Sequence, residues 1–117
     1  MSEYLTTKEM EWISSRINGQ EGQNHPCSNQ VVVCGFFGSY EEWKEFCNNN
    51  ANKIKYAARE IMVFEDGERW HWFSINTYNC RGYRFYKIKV SRKIDRDVFL
   101  NNIYPYCSHY CKEIEWM

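Results

Sequence analysis

Asp66-Gly67 stands between two apolar runs, in the stretch IMVFEDGERWHWF, and this arrangement most narrows what the chain can fold into. Asp-Gly readily fills the two positive-φ positions of a two-residue type I′ turn, so residues 59–75 are predicted to form a β-hairpin. A two-residue loop pairs Glu65 with Glu68, Phe64 with Arg69, Val63 with Trp70, Met62 with His71 and Ile61 with Trp72. Side chains alternate across a strand. One face then carries Ile61, Val63, Trp70 and Trp72, and the other Met62, Phe64, Arg69, His71 and Phe73.

Two further runs read as the centre of a sheet. Residues 30–37 (QVVVCGFF) are continuously apolar and valine-rich, the pattern of a strand covered on both faces. Residues 83–90 (YRFYKIKV), after a polar link over 76–82, form the second core strand. Helices are marked by their caps. Thr6 with Glu9 makes a capping box, Leu5 and Met10 a hydrophobic staple, and the helix over 6–17 carries the stripe Met10, Ile13, Ile17 with Trp12 off to one side. Asn18-Gly19 ends it, and residues 20–29 read as an exposed loop. Ser39 with Glu42 opens a second helix over 39–49, with Trp43, Phe46 and Cys47 on its buried side and asparagines 48–50 at its end. Residues 53–58 are expected extended, with a helical turn as the alternative. Asp95 is the N-cap of a helix over 96–104 that Pro105 ends, and the apolar tail 106–117 is expected to be ordered as an edge strand. The reading is one domain, 1–117, of α/β class. It has a small sheet with a parallel core (strands near 30–37 and 83–90), a hairpin at 59–75 and helices near 6–17, 39–49 and 96–104.

Charge excludes little and directs little. Lys plus Arg equals Asp plus Glu at 15 each, so no overall field draws the chain to nucleic acid or membrane. The start, MSEYLTTKEMEW, carries neither a basic nor an apolar leader region, and no run is long enough to span a membrane. A soluble, cytoplasmic chain is expected, in the host cell if it is phage-encoded. Six cysteines (27, 34, 47, 80, 107 and 111) read as reduced thiols. The alternative is a metal site, from His25 with Cys27 or from Cys107, His109 and Cys111, though neither group has C-x2-C spacing.

Aromatic content of 18% with five tryptophans predicts more aromatic surface than so small a core can hide, so an exposed patch drawn from Trp12, Trp70, Trp72 and Trp116 is expected. No catalytic constellation emerges. His71 between Trp70 and Trp72 reads as a packed ring, and Ser74, Ser91 and Ser108 lie in no nucleophile elbow. Asp95 and Asp97 around Arg96 suit helix capping better than metal binding. No cofactor is implied.

The succession QVVVCGFF, helix, IMVFEDGERWHWFS, CRGYRFYKIKV resembles the middle of the ATPase domain of phage large terminases, the DNA-packaging motors. The likeness spans residues 30–92: the hairpin turn is Asp66-Gly67, the Arg-Gly pair is Arg81-Gly82, and the apolar strand that leads to the Walker B acids is 86–90. The resemblance implies a parallel α/β core. It also implies a nucleotide site that this chain lacks. No G-x-x-x-x-G-K-[ST] loop precedes residue 30, where Gly19 and Gly22 are the glycines. Ser91 and Arg92 stand at the positions of the acids, and neither holds Mg²⁺ as a carboxylate does. The helix over 6–17 then corresponds to the one after the phosphate loop.

The function expected from this kinship is that of a non-catalytic phage-type protein-binding module on a degenerate packaging-ATPase-like core. By analogy with small phage proteins, it would inhibit a host defence nuclease complex in the anti-CRISPR style. The alternative is a nucleic-acid-binding protein related to the terminase, and a surviving nucleotide or metal enzyme comes last. Candidate partner-binding residues are Trp70, His71 and Trp72 in the hairpin, with Arg81, Tyr83, Arg84, Tyr86, Lys87, Lys89 and Arg92 along the basic, aromatic third run. The same run also reads as a strand whose lysines guard one solvated face.

Overall fold

A computed structural model describes residues 3–18, 31–75, 83–107 and 111–117. Its elements are α1 (Thr7–Asn18), β1 (Val31–Phe37), α2 (Tyr40–Asn49), β2 (Ile54–Ala57), β3 (Ile61–Phe64), β4 (Arg69–Phe73), β5 (Tyr83–Val90), α3 (Arg96–Val98) and β6 (Glu113–Trp116). The six strands form one mixed sheet in the order β2-β3-β4-β1-β5-β6. β1 lies inside, parallel to both β4 and β5, and β6 runs parallel to β5 along the edge. The α/β class and the parallel core over the two apolar runs are therefore as the sequence reads. No helix among the described residues is long and apolar enough to cross a membrane.

Both helix starts follow their caps. The Glu9 amide donates to Thr6 Oγ1 (3.1 Å) and the Thr6 amide to Glu9 Oε1 (3.0 Å). Ser39 and Glu42 repeat the exchange at α2. Asp95 Oδ1 accepts from the amides of Asp97 and Val98, so Asp95 is the N-cap, while Asp97 lies in the first turn. The segment Asp95 opens is not one α-helix to Tyr104. It passes from α3 into a π turn (Phe99–Ile103) and then a 3₁₀ turn (Tyr104–Tyr106) that contains Pro105. Proline fits this 3₁₀ start, where its missing N–H costs nothing, so it tightens the segment instead of ending it.

The hairpin register differs from the predicted one. Ile61 pairs with His71, Met62 with Trp70 and Val63 with Arg69, one residue away from a two-residue loop. Among the described residues Gly67 alone has positive φ (+93°), so Asp66 does not take the left-handed conformation that a type I′ turn demands. The loop holds three residues. Gly67 N donates to Phe64 O and Phe64 N to Glu68 O, while Asp66 Oδ1 accepts from Glu68 N. A one-residue slip exchanges faces. Trp70 and Trp72 therefore share a face with Met62 and Phe64, and His71 and Phe73 lie with Ile61 and Val63.

Two cores result. On one side α1 and the helical segment after Asp95 bury Ile13, Ile17, Phe37, Phe85, Ile88, Val90 and Phe99. On the other, α2 closes over Cys34, Phe36, Met62 and Trp70. The register of β1 with β5 shifts after Val33, which faces Phe85 while Cys34 faces Lys87. Tyr86 is the extra residue of this bulge, and it reverses the alternation. Phe85, Ile88 and Val90 consequently all enter the α1 core, and Lys87 and Lys89 point to the α2 side.

Candidate interaction surfaces

The residues singled out in the hairpin and third run do not form one surface. Trp70 is buried, with its indole N–H donating to Glu68 Oε1 at 2.8 Å. Trp72 is half-buried, donates to Gly38 O at 2.9 Å and packs on the Tyr40 ring at 5.4 Å. His71 is on the opposite face, stacked on Phe73 at 4.7 Å with Nε2 3.5 Å from Tyr83 Oη. Its ring packs on Phe73 and Tyr83, on the face opposite its flanking tryptophans. Tyr83 closes this cluster against Phe73 at 5.3 Å. Arg84 Nη1 donates to Tyr83 O. Arg92 lies past the end of β5, where Nη1 reaches Met10 Sδ of α1 at 3.5 Å. Arg81 falls outside the described residues.

The two strand lysines are held by carboxylates from distant elements. Lys87 Nζ is 3.1 Å from Glu68 Oε2 and 3.8 Å from Glu113 Oε2, and Lys89 Nζ is 3.5 Å from Glu115 Oε1. The hydrogen bond to Glu68 raises the pKa of Lys87 above its ordinary value, so it stays charged but spoken for. Three glutamates surround two lysines on this face and offset their charge locally. Tyr86 remains exposed, with Lys112 Nζ 5.4 Å from its ring.

Ser91 is fully buried, its N–H donating to Phe37 O and its Oγ accepting from Lys93 N at 3.2 Å. It ties the end of β5 to β1. No group of three His, Cys, Asp or Glu among the described residues is placed to hold a metal ion. His25, Cys27 and His109 fall outside that set. Burial pushes the Cys34 thiol up to about 12 and raises Cys47 as well, so neither is an activated nucleophile. Cys111 is lowered, chiefly by its hydrogen bond with Cys107, but both are fully buried in the α1 core.

The most exposed tryptophan of the expected four is Trp12. It keeps 54% of its surface open on the outer side of α1, against 7% for Trp70. Its ring stacks on Tyr104 (centroids 6.5 Å apart), and Arg16, one helical turn on, holds its guanidinium carbon 5.0 Å from the indole. Arg16 and Tyr104 were not among the residues the sequence singled out. The signal for this surface was Trp12 itself, lying off the Met10–Ile13–Ile17 stripe.

Comparison with protein-family models, with curated proteins and with solved structures finds no match.

Proposed function

We propose that the chain is a non-catalytic binding module that acts by stoichiometric contact with a larger protein through the outer side of α1. The observation that carries this reading is the half-open indole of Trp12, braced by Tyr104 and Arg16. Tryptophan, tyrosine and arginine are the residues most enriched among interface anchors. A tryptophan side chain offers about 150–250 Å². Covering the open half is therefore worth about 2–3 kcal/mol to a partner at roughly 25 cal/mol per Å². Stacking pre-orients the ring, which lowers the entropy a partner must remove.

The likeness to packaging ATPases supports a phage-type origin through motif order and the parallel pairing of β1 with β5. On that origin, the partner is a host defence nuclease complex, and the chain inhibits it by occupying its surface. This step rests on analogy. The nucleic-acid alternative gains nothing from β5, whose lysines are engaged by glutamates.

The test is capture from host lysate after exhaustive nuclease digestion, with wild type and Trp12→Ala compared. A protein recovered by wild type and lost with Trp12→Ala supports the reading. Recovery that disappears on digestion, or is indifferent to Trp12→Ala, refutes it. The substituted ring faces outward, so an unchanged melting temperature separates lost binding from lost folding.

A further inference from the structure

On the α2 side of the sheet, β5 and β6 lie beside α2, whose Phe46 ring is 5.0 Å from Lys89 Nζ. Three adjoining cavities line these strands. One of about 370 Å³ lies at the hairpin tip, between Asp66, Glu68, Arg69 and Tyr86. One of about 140 Å³ lies between Trp70, Lys87, Glu113 and Glu115. The third, about 400 Å³, continues past Glu115 and Lys89 to Glu45 and Phe46 of α2. Glu68 joins the first two through its bonds to Trp70 and Lys87, and Glu115 lines both of the others. Together they make a trough with an excess of carboxylates over cations.

We infer that this trough takes an extended, arginine- or lysine-bearing peptide segment of a partner protein. Glu113 and Glu115 are two residues apart on one strand, so their carboxylates repeat at roughly 6.7 Å. An extended partner with basic residues at alternate positions repeats at the same interval. Both glutamates are more than half exposed, and their distances to Lys87 and Lys89 (3.8 and 3.5 Å) leave them able to accept further hydrogen bonds. Phe46 and Tyr86 line the trough with Lys89 Nζ 5.0 Å from the Phe46 ring and Lys112 Nζ 5.4 Å from the Tyr86 ring, the cation–π geometry that a partner's guanidinium would share or displace. The site lies on the opposite side of the sheet from Trp12, so the two surfaces are testable apart.

The experiment titrates the full chain against a fluorescein-labelled (Arg-Ser)₄ peptide, with (Glu-Ser)₄ and a twelve-nucleotide single-stranded DNA as comparators. Glu113→Gln/Glu115→Gln is compared with Glu3→Gln/Glu11→Gln, which changes net charge equally from sites outside the trough. Saturable binding of the basic peptide is expected. The trough pair should weaken it about two- to thirtyfold, the range for losing two half-exposed ion pairs, and the control pair by less. Absence of saturable binding, equal loss in both pairs, or tighter binding of the DNA overturns the inference. Trp12→Ala should leave this titration unchanged, so failure of the α1 surface and failure of the trough are distinguishable.

Discussion

Gly35→Ala probes the packing at the centre of the sheet, because a single methyl group there meets two buried aromatic rings. A Cβ on Gly35 would lie 2.8 Å from Phe37 Cε2 and 2.8 Å from Phe85 Cδ1, well inside ordinary contact. Neither ring has room to yield. Both phenylalanines are fully buried, Phe37 packs edge-on to Phe85 at 5.2 Å, and Phe73 stacks on Phe37 at 5.1 Å. Overpacking of this kind costs about 1–3 kcal/mol. Against it, replacing glycine reduces unfolded-state entropy and returns about 0.4–1 kcal/mol. The steric term wins, for a net loss of about 1–2 kcal/mol and a melting temperature lower by roughly 3–10 °C in a chain of this size. Urea and thermal unfolding measure it. A second variant isolates the cause: in a Phe85→Leu background the Phe85 edge is gone, so Gly35→Ala should cost markedly less. A neutral or stabilising Gly35→Ala, or an equal cost in both backgrounds, would refute the account of this core.

Three other perturbations follow from particular contacts. Gly67→Ala should lose roughly 1–2 kcal/mol by chemical denaturation, the cost of an L side chain in left-handed backbone, since a Cβ there meets nothing within 4 Å and only the φ of +93° opposes it. Cys34 should resist thiol reagents at pH 8 until the chain unfolds. Its folded pKa is raised from 9.0 to about 12, so its contribution to stability is present below pH 9 and is lost as pH rises through that window. Glu9 titrates the opposite way. The Thr6 amide and then Arg96, whose Nε lies 2.6 Å away, hold its carboxyl below 4.5. The stabilising share is present above pH 4.5 and lost as pH falls through the lowered value, and Glu9→Gln should flatten that limb of the stability profile.

What was legible in the sequence was local. The two capping boxes span three residues each, and both form as written. The apolar run around Val33 identifies an interior strand because continuous burial leaves no alternation, whereas the run around Ile88 alternates buried apolar residues with half-buried lysines. The hairpin's existence was equally plain, but not its register. Asp-Gly serves both a two-residue turn and the second and third positions of a three-residue loop, and only the backbone of Asp66 decides between them. That one residue moved Trp70 and Trp72 beneath α2. The functional surfaces were less legible still. Lys87 meets Glu68 and Glu113 across 19 and 26 positions of sequence, so neither its neutralisation nor the trough could be seen from the run itself. Tyr104 reaches Trp12 only because the segment after Asp95 bends through π and 3₁₀ turns.

The central claim is that this chain binds a protein through Trp12 and not nucleic acid through β5. Affinity for the purified, nucleic-acid-free partner tests it most directly, measured for wild type, Trp12→Ala and Lys87→Gln/Lys89→Gln. Losing an interface anchor of this kind should weaken binding by roughly tenfold or more, while the lysine pair holds wild-type affinity or exceeds it. Loss of affinity confined to the lysine pair, with Trp12→Ala indistinguishable from wild type, would contradict it.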